Sequence, residues 1–145
     1  MKITICGSMS FAKEMLYCKE LLEKCGHSCL MPFETERWAT GGVILEDDSS
    51  IIRRKIAHNL IKKHFDKIDA SDAILVLNLS KNGTEHYIGA NTSLEMGTAF
   101  RRGIKIFLLN PIPDNPYIWD EAVAMQPIVL FGDFSRLTSC STPSV

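Results

Sequence analysis

The run Ala73 to Leu79, AILVLNL, constrains the fold more than any other stretch of the chain. A strand with one wet face alternates apolar and polar residues. This run does not alternate, so it reads as a strand buried on both faces, the situation inside a parallel sheet covered by helices. Ile3 to Cys6 and Ile104 to Leu109 have the same character. Parallel strands cannot be joined by tight hairpins; each pair needs a crossover, usually a helix. The segments between the apolar runs should therefore carry helical periodicity.

They do. From Ser10, the residues Phe11, Met15, Leu16, Leu21, Leu22 and Cys25 recur near helical spacing, and Gly26 offers a C-cap. His27 to Met31 reads as a second strand, stopped by Pro32. Residues 33–49 show no sustained period and read as a long connection, with room for a short helical piece. Asp48, Ser49 and Ser50 offer N-caps for one helix ending near Ala70. Its core side reads Ala57, Leu60, Ile61, His64, Phe65 and Ile68; Arg53, Arg54, Lys55, Lys62 and Lys63 cover the other side. After the central strand come a turn at Lys81-Asn82-Gly83 and a helix from Thr92 to Arg102 closed by Gly103. A short helix over Ile118–Met125 and a last strand over Pro127–Phe131 complete the order. The expectation is a single α/β domain over residues 1–137: an open, doubly wound, five-stranded parallel sheet of the Rossmann or flavodoxin type. Thr138 to Val145, small and polar, reads as a disordered tail.

Composition narrows the function. A chain of 145 residues is long enough for one real core. Its net charge of −1 carries no electrostatic footprint for nucleic acid or an anionic membrane. No apolar run approaches the roughly 20 residues of a membrane span. The N-terminus, MKITICGSMSF, reads as a first strand rather than a signal peptide. Of the five cysteines, Cys25 and Cys29 form a lone pair without a second ligand pair, which argues against a structural zinc site. Reduced thiols in a cytoplasmic protein are the expectation, and the three N-x-S/T triplets carry no glycosylation meaning there.

In an open parallel sheet, ligands bind beyond the carboxyl ends of the strands, near the point where strand order reverses. That rule selects Gly7–Ser10, the loop after Met31, Asn78–Asn91 and Asn110–Tyr117. Gly7-Ser8-Met9-Ser10 joins a strand to a helix. Its backbone N–H groups and serines can hold an anion, or it is a tight turn with Ser10 as N-cap. Glu95 poses the sharper question. Thr92-Ser93-Leu94-Glu95 fits the S/T-x-x-E capping box, and spacing alone favours that reading. The alternative is an oriented carboxylate, ionised by the helix dipole and able to act as a nucleophile. His64, inside the apolar stripe of its helix, is either a core histidine or a pocket residue. Asp66, Asp69 and Asp72 read as structural. Trp38, Tyr87, Tyr117 and Trp119 fall in loops or at their ends, where aromatics stack on bases, cover the core or pack against a second subunit.

Three stretches in this order and spacing, ITICGSMSF, SDAILVLNL and YIGANTSLEMGTAFRRGIKIFLL, resemble the nucleoside 2-deoxyribosyltransferase superfamily. That superfamily includes the deoxynucleoside monophosphate N-glycosidases. The resemblance spans about residues 1–131. It implies a doubly wound fold, a homodimer or larger assembly, and cleavage of the N-glycosidic bond of a nucleoside or its monophosphate. It implies Glu95 as the nucleophile, with Gly7, Ser8, Met9, Ser10, Asn78, Gly89, Asn91 and Ser93 around sugar and phosphate. It implies no metal or redox cofactor. Two positions depart from the pattern. His64 stands where the family carries an aspartate near the leaving base, and a histidine there is a general acid with an ordinary pKa near neutrality. Ser10 stands where the monophosphate hydrolases carry an arginine, which weakens or relocates any phosphate site. The alternative is a catalytically silent nucleotide-binding module.

Overall fold

The computed structural model describes residues 1–45 and 47–139, the side chains of 138 and 139 excepted. Five strands form one sheet: β1 (Lys2–Cys6), β2 (Ser28–Leu30), β3 (Ala73–Val76), β4 (Lys105–Leu108) and β5 (Ile128–Val129). All neighbours are parallel and their order is β2-β1-β3-β4-β5. This is the doubly wound arrangement expected from the sequence, and its order reverses between β1 and β3. The crevice beyond Cys6 and Val76 is therefore where a ligand belongs.

Register explains the unbroken apolar run. Ala73, Leu75 and Leu77 pack on one face with Ile3, Ile5, Met15, Leu22 and Phe107. Ile74 and Val76 pack on the other with Cys6, Ile68, Met96, Ala99 and Leu108. The period of two is present, but both faces are apolar because helices cover both. One face carries α1 (Ala12–Lys24) and Leu137 of α7 (Arg136–Ser139). The other carries α4 (Leu60–Asp69), α5 (Ala90–Arg101) and α6 (Trp119–Ala124). Cys6 ends β1 facing this second layer. Gly7, at φ +153°, then turns the chain so tightly that a Cβ would lie 3.1 Å from the Leu77 carbonyl oxygen.

Three expectations change. The helix foreseen from Ser50 to Ala70 is two helices, α3 (Asp48–Ala57) and α4, separated where Asn59 takes a left-handed conformation at φ 49°. Asp47 caps α3, its carboxylate accepting from the Ser50 N–H at 2.8 Å. The helix foreseen from Thr92 begins at Ala90, with Gly89 at the N-cap. The connection 33–49 does hold a short helix, α2 (Thr35–Ala39). α7 enters the first two positions of the segment expected to be disordered, and residues 140–145 lie outside the described residues.

Candidate active site

The two-residue shift of α5 changes the character of Glu95. No acidic residue lies in the first turn of this helix, and its N-cap makes no side-chain hydrogen bond. The capping box does not form, and the dipole argument for an ionised carboxylate loses its geometry. Glu95 instead occupies the second turn, 3% exposed, beneath the loop after β3. Its Oε1 accepts a hydrogen bond from Asn91 Nδ2 at 2.8 Å, one turn earlier on the same helix face. Its Oε2 is buried and has no hydrogen-bond partner.

Two further side chains meet it from other elements. His64 projects from α4, 7% exposed, and its Nε2 lies 3.6 Å from Glu95 Oε1. Cys6, at the end of β1 and fully buried, places Sγ 3.6 Å from the same Nε2. Burial sets the charge state of all three. It pushes the Glu95 carboxyl up to about 8, against weaker opposing pulls from Cys6, Asn91 and Lys55. It pushes His64 down to about 4, with Lys67 adding to the effect. The Cys6 thiol is raised well above its ordinary range by burial and then by Glu95. At neutral pH the cluster is uncharged: a carboxylic acid, a neutral imidazole and a thiol. The 3.6 Å approach of His64 to Glu95 is accordingly not an ion pair in this state.

The cluster lies at one wall of a cavity of about 430 Å³. Gly7, Ser8, Met9, Gly89 and Asn91 line this cavity together with His64 and Glu95. Ser10 does not; it is exposed, with its Oγ 3.0 Å from Ser8 Oγ. Asn78 does not either. It is fully buried and clasps the next strand, donating to the Asn110 and Pro111 carbonyls and accepting from the Asn110 N–H, each at 2.9 Å. Ser93 faces a second, shallower groove bounded by Leu94, Tyr117 and Ile118. Trp38 and Tyr87 line the main cavity, and Tyr117 is 90% exposed outside it. Asp66 pairs with Lys62, Asp69 with Arg102, and Asp72 accepts from the Lys2 N–H.

The remaining walls hold side chains that no motif singled out. Arg54, Lys55, Lys63, Lys67 and Lys81 line the cavity, and Glu95 is its one acidic side chain among the described residues. Arg54 pairs with Glu34, which also pairs with Arg37, and Lys67 donates to the Met31 carbonyl at 2.6 Å. Lys81 is the informative one. Its Nζ donates to Ser8 Oγ at 2.9 Å and sits 4.9 Å from the centre of the Tyr87 ring. A cation thus stands at the β1 turn although Ser10 carries no charge. Its signal in the sequence was only its place in a polar turn after a buried strand.

No family model matches the chain, and no curated protein matches it. Among solved structures, it matches one characterised as a 2-deoxyribosyltransferase from the psychrotolerant bacterium Bacillus psychrosaccharolyticus. The TM-score is 0.55 and the identity 18%, over 89% of this chain and 98% of that one. The chain has a 2-deoxyribosyltransferase-like fold. A conserved protein from Enterococcus faecalis V583 is more distant, with TM-score 0.42 and 15% identity over 86% of this chain and 74% of that one. In the 2-deoxyribosyltransferase-like fold seen here, β1, α4 and α5 bring their chemical groups to one point beside the cavity. Among the described residues no helix is long and apolar enough to cross a membrane.

Proposed function

We propose that the protein cleaves, or transfers across, the N-glycosidic bond of a nucleoside or nucleoside monophosphate, with Glu95 as nucleophile and His64 as general acid. The observation that carries this reading is the buried Glu95 carboxyl beside the cavity, with His64 Nε2 3.6 Å away. Attack requires an ionised carboxylate, and departure of a base requires a proton. Transfer of one proton from the Glu95 carboxyl to the His64 imidazole supplies both. A Glu95 oxygen then bonds to the anomeric carbon as the carbon–nitrogen bond breaks. Its electron pair leaves with the base, which takes the proton from His64. Water, or a nitrogen of a second base, attacks the same carbon and gives its proton to the now neutral His64. The Glu95–carbon bond breaks, the freed carboxylate takes the proton back from His64, and configuration at that carbon is retained. Asn91, hydrogen-bonded to Oε1, fixes the carboxyl plane and leaves Oε2 as the free oxygen. Lys81 and Ser8 supply a cation and a hydroxyl where a 5′-phosphate would be received. Trp38 and Tyr87 offer faces for a base or sugar.

The low charge of the resting cluster favours one second reading: a nucleotide-binding module in which Glu95 never ionises. Incubation with a panel of nucleosides and monophosphates, followed by chromatography for free base, separates the two. The catalytic reading expects base release by the wild type, reduced by about 10³-fold or more in Glu95→Gln. Equal release by Glu95→Gln, or no release with any substrate in the panel, overturns it. Nucleotide-dependent thermal stabilisation without release would then support the module.

A further inference from the structure

We propose that Cys6, His64 and Glu95 together form a binding site for a zinc-like divalent cation, with a fourth coordination position open to the cavity. The three candidate ligand atoms are Cys6 Sγ, His64 Nε2 and a Glu95 oxygen, all within 4.8 Å of one another. Two of the separations, thiol to imidazole and imidazole to carboxyl, are both 3.6 Å. Around a tetrahedral ion with metal–sulfur bonds of about 2.3 Å and metal–nitrogen or metal–oxygen bonds of about 2.0 Å, neighbouring ligands lie about 3.3–3.6 Å apart. These two separations are thus within a few tenths of an ångström of what zinc requires, and the third, thiol to carboxyl, is no more than 4.8 Å.

Direct contact among the three side chains is weak. The Cys6 thiol and His64 Nε2 make a long sulfur hydrogen bond at 3.6 Å, and the imidazole–carboxyl separation of 3.6 Å is longer than a hydrogen bond. Glu95 Oε2 and His64 Nδ1 are buried without partners, although buried polar atoms are usually satisfied. An unpartnered Oε2 gives the carboxylate a second oxygen for an ion. Presenting an Nε2 lone pair to the ion requires the neutral imidazole to carry its proton on Nδ1.

The donor set selects the ion. Thiolate and imidazole with one carboxylate suit zinc or cobalt, whereas magnesium and calcium need oxygen ligands in greater number. One thiolate and one carboxylate balance the charge of a divalent ion, so the loaded site is neutral in its buried setting. At neutral pH binding releases two protons to solvent, one from the Cys6 thiol and one from the Glu95 carboxyl. The ligands come from β1, α4 and α5, three elements fixed by the core, rather than from a mobile loop. His64 and Glu95 line the cavity, as do Gly7 and Ser8 immediately after Cys6, leaving room there for water or a substrate atom. No CxxC spacing announces such a site, because its ligands are dispersed along the chain.

Metal binding does not depend on the N-glycosidic reading. The two states exclude each other, however: a Glu95 carboxylate bound to an ion cannot attack carbon, so the loaded protein would be the silent form. The test uses metal-free, reduced full-length chain titrated with cobalt(II) chloride and followed by absorption. The expected result is one equivalent bound with a thiolate-to-cobalt charge-transfer band, reversed by zinc chloride and by EDTA. Cys6→Ser should lose the band, and His64→Ala and Glu95→Gln should each weaken binding at least tenfold. No band in the wild type overturns the proposal, as does an unchanged band in Cys6→Ser, which would assign the metal to other cysteines. Glu95→Gln preserves shape, and circular dichroism checks its folding; unaltered affinity in folded Glu95→Gln also overturns the site. Base release measured with EDTA present reports on the N-glycosidic reading separately, so either idea can fail alone.

Discussion

Replacing Asn78 by alanine should damage stability rather than ligand recognition. Its side chain is fully buried and makes three hydrogen bonds of 2.9 Å, two as donor and one as acceptor, all to backbone of Asn110 and Pro111. These bonds hold the end of the segment after β3 against the end of the segment after β4. Each contributes about 0.5–1.5 kcal/mol net, and an orphaned buried partner costs about 1–3 kcal/mol. Asn110 and Pro111 are themselves only partly buried, so water can satisfy some of the abandoned groups. The expected loss is therefore about 3 kcal/mol, the sum of three net bonds at about 1 kcal/mol each, below the full cost of three orphans. At roughly 2–4 °C per kcal/mol for a domain near this size, the melting temperature should fall by about 6–12 °C. Urea and thermal unfolding followed by circular dichroism read the loss directly. Below the transition, KM for any substrate of the wild type should be unchanged within about twofold. A variant that melts within about 2 °C of wild type but loses substrate binding would refute the reasoning, and would put Asn78 at the ligand.

Other expectations concern the cavity. His64→Ala should lower kcat by about 10²–10⁴-fold on ordinary nucleosides, while His64→Asp, which restores a proton-carrying side chain, should retain more activity; equal losses would deny His64 an acid role. Lys81→Ala should raise KM for a nucleoside 5′-monophosphate by at least about tenfold while leaving that for the free nucleoside unchanged; parallel changes for both would place the phosphate elsewhere. In the metal-free protein, stability should fall as pH rises from about 6.5 to about 8. The folded state holds the Glu95 proton up to about 8, whereas the unfolded chain releases it near 4.5. Below 6.5 the buried, neutral His64, whose folded value is about 4, contributes an opposing rise, so the Glu95 loss emerges above that pH, by about 2 kcal/mol at ~1.4 kcal/mol per pH unit. Glu95→Gln should flatten this slope in urea unfolding measured from pH 5 to 8.5 with EDTA present, and parallel curves for the two proteins would contradict a buried, protonated Glu95.

The sheet was legible because its strands are buried on both faces, and that condition is written into consecutive residues. Ala73 to Leu79 needs no partner to be recognised. The break between α3 and α4 was not. Ala57 and Ile61 read as core positions at helical spacing, yet both are exposed, Ile61 to 41%, and α3 buries no residue at all. In the sequence the apolar stripe runs on through Asn59, whose left-handed conformation is permitted by its short polar side chain but not announced by it. Lys81 was passed over for the opposite reason: it looked like an ordinary turn lysine, and only the fold brings it to Ser8. Cys6 entered only with the turn that the resemblance sets against sugar or phosphate, and its approach to His64 is likewise a product of the fold.

Glu95 shows how narrow the margin between a structural and a chemical reading can be. A capping box is a statement about one residue's position relative to a helix start. With the start at Thr92, Glu95 is the third residue of the first turn and reaches back to the backbone in water. With the start at Ala90, the same residue rotates into the second turn and down toward β1 and α4. Helix limits read from sequence carry an uncertainty of that size, because several residues can cap and the choice is made by packing. Here Ile88, Met96 and Ala99 are buried against the sheet, and their burial fixes the rotation of α5. Once they are seated, Glu95 is buried at the cavity wall beside His64 and Cys6. The local pattern was genuine; the apolar contacts on either side of it decided its meaning.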